Sequence, residues 1–477
     1  MNQQRKPRVA IIGGGLSGLA TAVHLHLSKT NIDITLLESS DVVGGVIQTH
    51  RVDGFLVDHG ADMFAMNPPA AHDLCVQIGV ADQLIQPEVT GRGARIVHRG
   101  QLVPIPDGFV LMRATKRLPM IKTPLLSVAG KLRLFGERFI QNNVSETDQS
   151  VAKFVRTRMG NEVLQRIVGP LVAGIYTADI EKLSLLATMN PIAEMVRQHG
   201  SLAKATSARK KTGQDSSERN SAGARYNQFR AFRGGMTQLI SSLANLLPDG
   251  TIRTNQSVSA IQPNTNGEWT VDTNGQNSTD KPNPTFDHVV VATPARVAAK
   301  LLQPHASKAS GQLSAIESAS TAIVVLGVRK SDIARPVETF GFVVPAIERR
   351  RILAGSFASA KFAGRAPKDH VLIRVFIGGA MQSHLLQHND QELIDIAREE
   401  LSDLIGLSGQ PIVQQVIRWN DVMPQYHVGH RDRVREIEDD LQSVAGLSLI
   451  SNALHGVGIS PIIANAKKVA DEILTSL

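Results

Sequence analysis

The chain has 477 residues, 42% hydrophobic and 20% charged, which is apolar material enough for about three folded domains. Its one cysteine, Cys75, excludes an internal disulfide framework and a thiolate metal cluster and suits a reducing compartment. A net charge of +8 would suit anionic partners, but aromatic residues are only 4% and no nucleic-acid motif accompanies the charge, so nucleic acid is not expected as a partner.

The opening "MNQQRKPRVAIIGG" is basic and then apolar, yet its apolar run is too short for a secretory signal and stops at glycines, so "RVAII" reads as a strand. Gly13, Gly15 and Gly18 follow in G-x-G-x-x-G spacing. Helical periodicity then runs through Leu16, Leu19, Val23 and Leu27, and a second strand, "DITLLE", ends at Glu38. In this β-α-β order the glycines permit a tight turn, close backbone approach to a pyrophosphate and close packing of helix on strand. The helix N-terminus draws the phosphate charge. Glu38 stands where an acidic side chain accepts from ribose hydroxyls and repels a 2′-phosphate. Gly44, Gly45 and Gly60 mark further places for close approach. His24 and His26 point to different faces of the helix, so no structural metal is expected.

Between Phe109 and Asn142 seven basic residues, from Arg113 to Arg138, are opposed only by Glu137. Leu125, Val128, Leu132, Phe135 and Phe139 recur at helical spacing as one stripe. Such a segment either lies in an anionic bilayer interface or packs its stripe into a core behind a solvated basic face, and the residues alone leave both open. No stretch is long enough to span a bilayer, so any membrane contact is one-sided. Residues 205–225 are polar and read as a mobile loop. Residues 268–294 read as strand, Asn/Pro-rich turn and returning strand "VVVATP"; Ala298 to Asp421 is strand-rich and is expected to floor a cavity. At the tail, Asn452, Gly456, Val457, Gly458 and Ile459 offer bare backbone to a flat ring. Ser460-Pro461 then opens a helix with a stripe through Ile462, Ala466, Val469, Ala470 and Ile473. Between residues 60 and 450 there is no second dinucleotide fingerprint, so electrons arrive on the substrate and leave to oxygen or a quinone.

The first β-α-β unit and the double glycine after it resemble the FAD-dependent amine-oxidase-like superfamily, with Val42 standing where that family usually has an arginine. "PLVAGIYTADIEKLSLLA" (170–187), "FRGGMTQLISSLA" (232–244) and "IRWNDVMPQYHVGHRDRV" (417–434) resemble the protoporphyrinogen oxidases, oxygen-dependent haem-pathway enzymes, and the similarity runs from Arg8 to Leu474. The resemblance implies an α/β fold of three parts. A Rossmann-like FAD-binding domain, discontinuous in sequence, takes residues 1–67, 230–297 and 420–477. A mixed-sheet substrate domain takes 68–104 and 298–419, with 206–229 as loop and substrate part. A helical membrane-associating domain takes 105–205. The resemblance puts Gly13, Gly14, Gly15, Leu16, Ser17, Gly18, Glu38, Ser39, Gly44, Gly45, Gly60, Ala61, Asp62 and Met63 on FAD. Val258 falls at the adenine end, and Trp419, Val457, Gly458 and Ile459 near the isoalloxazine.

The same resemblance assigns Arg95 to a substrate propionate and Gly174 and Phe357 to the cavity wall. The implied reaction is oxidation of protoporphyrinogen IX by oxygen with peroxide release. Coproporphyrinogen III is the alternative substrate, and an amine oxidase, a carotenoid desaturase or a non-catalytic tetrapyrrole-binding flavoprotein are further readings. Flavin N5 takes the hydride and no side chain is nominated as acid or base; His427 and His430 are read as supports for the loop beneath the flavin. The resemblance also admits a homodimer, a transient contact with a ferrochelatase, and a cytoplasmic, peripherally membrane-bound location.

Overall fold

Val9 to Ile12 form a continuous apolar run because this strand is covered on both faces. It is the centre of a five-stranded parallel sheet in the order Ile252–Arg253, Asp33–Leu37, Arg8–Ile12, His288–Val291, Leu447–Leu449. The computed structural model describes residues 5–88, 93–110, 112–140, 147–212, 228–274, 284–335 and 338–477. Side chains along a strand alternate between faces, and the two cores follow that alternation. Val9 and Ile11 pack with Leu19 and Val23 of the first helix (Leu16–Leu27) and with Ile463, Ala466 and Ile473 of the last (Ile459–Ser476). Ala10 and Ile12 pack with Ala298, Leu302, Leu313 and Ile437 on the opposite face. The two ends of the chain are therefore one layer of one core.

A second, seven-stranded mixed sheet runs Val413–Pro424, Ser318–Arg329, His370–Gly378, Ala354–Phe357, Gly341–Val343, Ala94–His98, Gln101–Pro104. Only Gly341–Val343 and Ala94–His98 are parallel neighbours in it. One face packs on the helix Asp390–Ile405. That helix begins in a capping box, Asn389 with Glu392, and ends at Gly406 with φ 68°. It lies inside the stretch read as strand-rich; the Asn-x-x-Glu signature before Leu393 and Ile394 was its signal.

The helices from Arg117 to Lys211 share a third core, built on Leu134, Phe154, Val155, Ile167, Leu185 and Val196, with Tyr426 reaching in from the far end of the chain. Two sequence expectations change here. The stripe from Leu125 to Phe139 is not one helical face. Thr123 ends the helix Arg117–Lys122, Pro124 follows, and Ser127 caps a new helix at Val128, its hydroxyl accepting from the Gly130 N–H at 3.1 Å. Leu125 is buried, whereas Val128, Leu132 and Phe139 are 74%, 68% and 83% exposed. The polar stretch after residue 205 starts as helix, since Ser201 caps Leu202–Lys211; the loop expected over 213–225 lies outside the described residues. Among the described residues no helix is long and apolar enough to cross a membrane.

Candidate active site

The fingerprint turn sits at the carboxyl edge of the parallel sheet, where doubly wound sheets bind their ligands. Gly13 takes φ +110°, a conformation L side chains rarely adopt, and its N–H donates to Leu37 O at 2.8 Å. A Cβ on Gly18 would stand 2.0 Å from the Gly13 carbonyl oxygen, so only glycine lets the helix press this close to the strand. Gly15, by contrast, faces open space, with nothing within 4 Å of a Cβ built there. It is the N-cap of the first helix and offers no side-chain cap, so the N–H groups of Leu16 and Ser17 open onto that space. The Gly44 N–H donates to Gly14 O at 2.8 Å and brings the pair Gly44–Gly45 against the turn, while Val42 is 51% exposed beside it.

Glu38 accepts from the Gly14 N–H at 2.7 Å, from the Ser39 hydroxyl at 3.1 Å, and from the Ser40 N–H and hydroxyl at 2.8 and 2.5 Å. Burial alone would raise this carboxyl; the bonds from Ser40, Gly14 and Ser39 outweigh it and hold it below the usual carboxylate range. Three of the four donors go to Oε1, which leaves acceptor capacity on Oε2 for a hydroxyl. The Gln256 N–H donates to Glu38 O at 2.8 Å, which carries half-buried Val258 to the same end of the cleft. Open space at a helix N-terminus beside a fixed carboxylate fits the pyrophosphate and ribose of a dinucleotide.

At the other end of the cleft, Gly60, Ala61, Asp62 and Met63 leave the strand Phe55–Asp58, and Trp419 Nε1 donates to His59 O at 2.9 Å. The tail arrives beside them. The Tyr426 hydroxyl donates to Asn452 O at 2.5 Å and accepts from the Gly456 N–H at 2.8 Å. The Tyr426 ring stacks on His430 with centroids 4.0 Å apart, and His430 Nε2 lies 3.1 Å from Leu454 O. Burial lowers His430 to about 4, so the ring is neutral at pH 7. His430 thus lies under the Gly456–Ile459 loop, while His427 pairs its main chain with Leu183 instead. The helix opens at Ile459, capped by Gly458, with Pro461 third and not first; the Ser460 hydroxyl donates to Ala65 O and ties the tail to the first part of the chain.

Beyond Met63 lies a cavity of about 520 Å³, walled by Ile105, Phe109, Leu171, Phe342, Val343 and Phe376 among others. Gly174 is on its wall. Arg95 is not. On the strand Ala94–His98 it is Ala94 that faces the cavity, so period-two alternation turns Arg95 to the other side. There Arg95 donates to Leu102 O at 3.3 Å and borders a separate groove with Arg99 and Arg335. Phe357 is also corrected: it is fully buried in the core against Phe342, centroids 6.0 Å apart, while Ala354, Gly355 and Ser356 take the wall.

The two cations that meet Asp62 at the inner end escaped sequence reasoning. Lys361 Nζ lies 2.5 Å from Asp62 Oδ2, and Arg374 Nη1 lies 3.3 Å from the same oxygen. Arg374 also donates to Gly60 O at 2.5 Å. Burial would raise the Asp62 carboxyl; Lys361 and Arg374 overcome it and hold it at about 2. That side chain is committed to the two cations, so a cofactor contact here falls to the main chain. The signal for Arg374 was present in "LIRVFIGG": a charge inside an apolar strand needs a buried partner. The RGGM stretch serves a neighbouring pair. The Met236 N–H donates to Asp58 Oδ1 at 2.8 Å, and Asp58 Oδ2 lies 3.4 Å from Arg365 Nε.

Fold and cleft define a flavoprotein of the doubly wound dinucleotide-binding class. The sequence matches the model for flavin containing amine oxidoreductases over residues 16–474, and the chain belongs to that family. It is an FAD-dependent oxidase. It is 30% identical over 477 residues to the coproporphyrinogen III oxidase of Bacillus subtilis (strain 168), covering 99% of both chains. It is 32% identical over 473 residues to that of Staphylococcus aureus (strain NCTC 8325 / PS 47), covering 98% of this chain and 99% of the relative. Relatives at lower identity are named protoporphyrinogen oxidases. A crystal structure from Exiguobacterium sp. 255-15, provisionally assigned as a protoporphyrinogen oxidase, superposes with a TM-score of 0.86 at 27% identity, covering 99% of this chain and 100% of that one.

Proposed function

We propose that the chain oxidises a porphyrinogen to the porphyrin in haem synthesis, and that its substrate is coproporphyrinogen III. The observation that carries this reading is the apolar cavity of about 520 Å³ that opens against the Gly60–Met63 segment. It has the size and lining of a small-molecule site and suits a largely apolar macrocycle. The names of the 30–32% identical relatives support the tetracarboxylate substrate. Protoporphyrinogen IX, whose vinyl groups would meet the same walls, is the second reading.

When bound, FAD supplies the acceptor for a hydride from a methylene bridge and passes the electrons to oxygen. Three such two-electron removals turn porphyrinogen and three O₂ into porphyrin and three H₂O₂. The side chains bind and orient. Leu171, Phe342 and Phe376 exclude water from the macrocycle, and Gly174 keeps the wall thin where Val343 already stands 3.2 Å from a would-be Cβ. Gly13 to Gly18, Glu38, Ser39, Gly44, Gly45 and Val258 hold the dinucleotide, with Gly60 to Met63, Trp419 and Val457 to Ile459 around its ring. The titratable side chains on the described cavity wall are Asp62, Lys361 and Arg374, all engaged with one another, so no general base is assigned.

Anaerobic mixing with each porphyrinogen tests the reading. Bleaching of the flavin, then fluorescent porphyrin and peroxide on admitting air, supports it. Bleaching by a polyamine or carotenoid but by neither porphyrinogen points to an amine oxidase or desaturase, and binding without bleaching to a non-catalytic carrier.

We also propose that the helices from Arg117 to Phe139 rest on an anionic membrane surface. Leu118, Ile121, Val128, Leu132 and Phe139 are 52–83% exposed, among exposed Arg117, Lys122, Arg133 and Arg138. Apolar side chains presented to water amid basic ones match an interfacial segment.

A further inference from the structure

The cavity is mostly apolar and carries its charged side chains at its inner end. There Lys361 and Arg374, 7% and 2% exposed, converge on the single carboxylate of Asp62. Among the described residues, two buried cations face one anion. The neighbouring Arg365 does not change this balance, because Asp58 matches it. Buried charge is costly unless paired, so the surplus positive charge calls for one more anion. Donor capacity is left over at the same place. Ser356, 8% exposed and directly opposite Arg374 in the strand register, has a buried hydroxyl with no hydrogen-bond partner, and Arg374 Nε has none either. Ser356, Lys361 and Arg374 all line the cavity.

We infer that this cluster receives a carboxylate of the substrate at the inner end of the cavity and thereby selects a porphyrinogen with propionates on all four rings over one with vinyl groups on two. The inference rests on the porphyrinogen reading above. A propionate there balances two cations with two anions and accepts from the free Ser356 hydroxyl and from Lys361 or Arg374. Protoporphyrinogen IX bound with its two propionates at the open end would place a vinyl group here, which can do neither and leaves the surplus charge unmatched. The inner cluster also takes the role that Arg95 cannot fill from the far face of its strand.

The test uses FAD-loaded enzyme. Equilibrium binding of coproporphyrin III and of its tetramethyl ester is followed by porphyrin fluorescence, alongside kcat/KM for coproporphyrinogen III and protoporphyrinogen IX. Lys361→Met leaves Asp62 paired with Arg374. It is expected to weaken binding of the free acid roughly tenfold and to lower coproporphyrinogen kcat/KM as much, the loss of one hydrogen bond to a charged group. Ester binding and protoporphyrinogen turnover should stay within about twofold. Ser356→Ala, which alters no charge, is expected to move the same two quantities about threefold in the same direction.

Equal losses for acid and ester, a coproporphyrinogen-to-protoporphyrinogen ratio unchanged in both variants, or a wild type that prefers protoporphyrinogen IX would overturn the inference. So would loss of FAD or an altered flavin spectrum with that ratio unchanged, which would assign the cluster to holding the Gly60–Met63 segment. A wild type that oxidises neither porphyrinogen defeats the underlying reading itself.

Discussion

Replacing Tyr426 by phenylalanine deletes a single oxygen from the support of the tail loop. The tyrosine is 3% exposed, and its ring, stacked on His430, is kept, so no cavity opens. What is lost is a pair of hydrogen bonds, to Asn452 O at 2.5 Å and from the Gly456 N–H at 2.8 Å. A polar group left unpaired away from water costs about 1–3 kcal/mol. Both main-chain groups belong to half-buried residues, so the lower end applies to each and the total is about 2 kcal/mol. The cost falls on the segment between Ile450 and the last helix, which contains Val457 to Ile459. Local opening there should weaken FAD binding about thirtyfold, the equivalent of ~2 kcal/mol. Titration of the apoprotein with FAD, followed by quenching of flavin fluorescence, measures this directly, and thermal unfolding of the holoenzyme should show a parallel loss. A Tyr426→Phe enzyme with FAD affinity within twofold of wild type and an unchanged Tm would refute the claim that this hydroxyl holds the loop.

Arg95→Ala should leave the porphyrinogen KM within about twofold of wild type, because the guanidinium faces the outer groove; a tenfold rise would restore it to the cavity. Gly18→Ala forces a Cβ to 2.0 Å from the Gly13 carbonyl, an overpacking that costs about 1–3 kcal/mol, and is expected to yield protein purified without FAD, read from its absorbance. His288 and His430 are both held neutral at about 4, below the ordinary 6.5, so the unfolded chain binds protons that the folded one refuses. Their stability contribution is complete above pH 6.5 and is lost as pH falls toward 4, by on the order of 3 kcal/mol each; denaturant midpoints across that window should fall steadily, and His430→Gln should flatten the slope. Leu132→Asp with Phe139→Asp should abolish sedimentation with anionic vesicles while sparing turnover of detergent-dispersed substrate; retained sedimentation would remove this segment from the membrane reading.

The nucleotide half of the fold was legible in the sequence because its signals are local. Glycine spacing, a short continuous apolar run and an acidic residue at a set distance each arise within about thirty residues, and the fold uses them at Gly13, Gly18 and Glu38. The capped helix Asp390–Ile405 carried an equally local signal in Asn389 and Glu392, but it was missed inside a stretch read as strand-rich. The face to which a strand residue turns is not local. Arg95 and Phe357 both sit on strands, but which side borders the cavity depends on pairing with Gly341–Val343 and on what the opposite face covers. The same holds for the stripe from Leu125 to Phe139. Its spacing was helical, yet Thr123-Pro124 and the Ser127 cap divided it, and the third core took Leu125 fully and Phe135 in part while Val128, Leu132 and Phe139 stayed exposed.

The sequence by itself determined a dinucleotide turn at one end of the chain, a glycine-opened helix at the other, and the family to which both belong. Tertiary structure decided which charges share the cavity. Asp62 stands 299 residues before Lys361 in the chain, and further still before Arg374, and meets them only because the turn after Phe55–Asp58 packs against the strand His370–Gly378 and the residues just before it. Pairing of buried charge is a property of three-dimensional proximity, which no periodicity along one strand encodes.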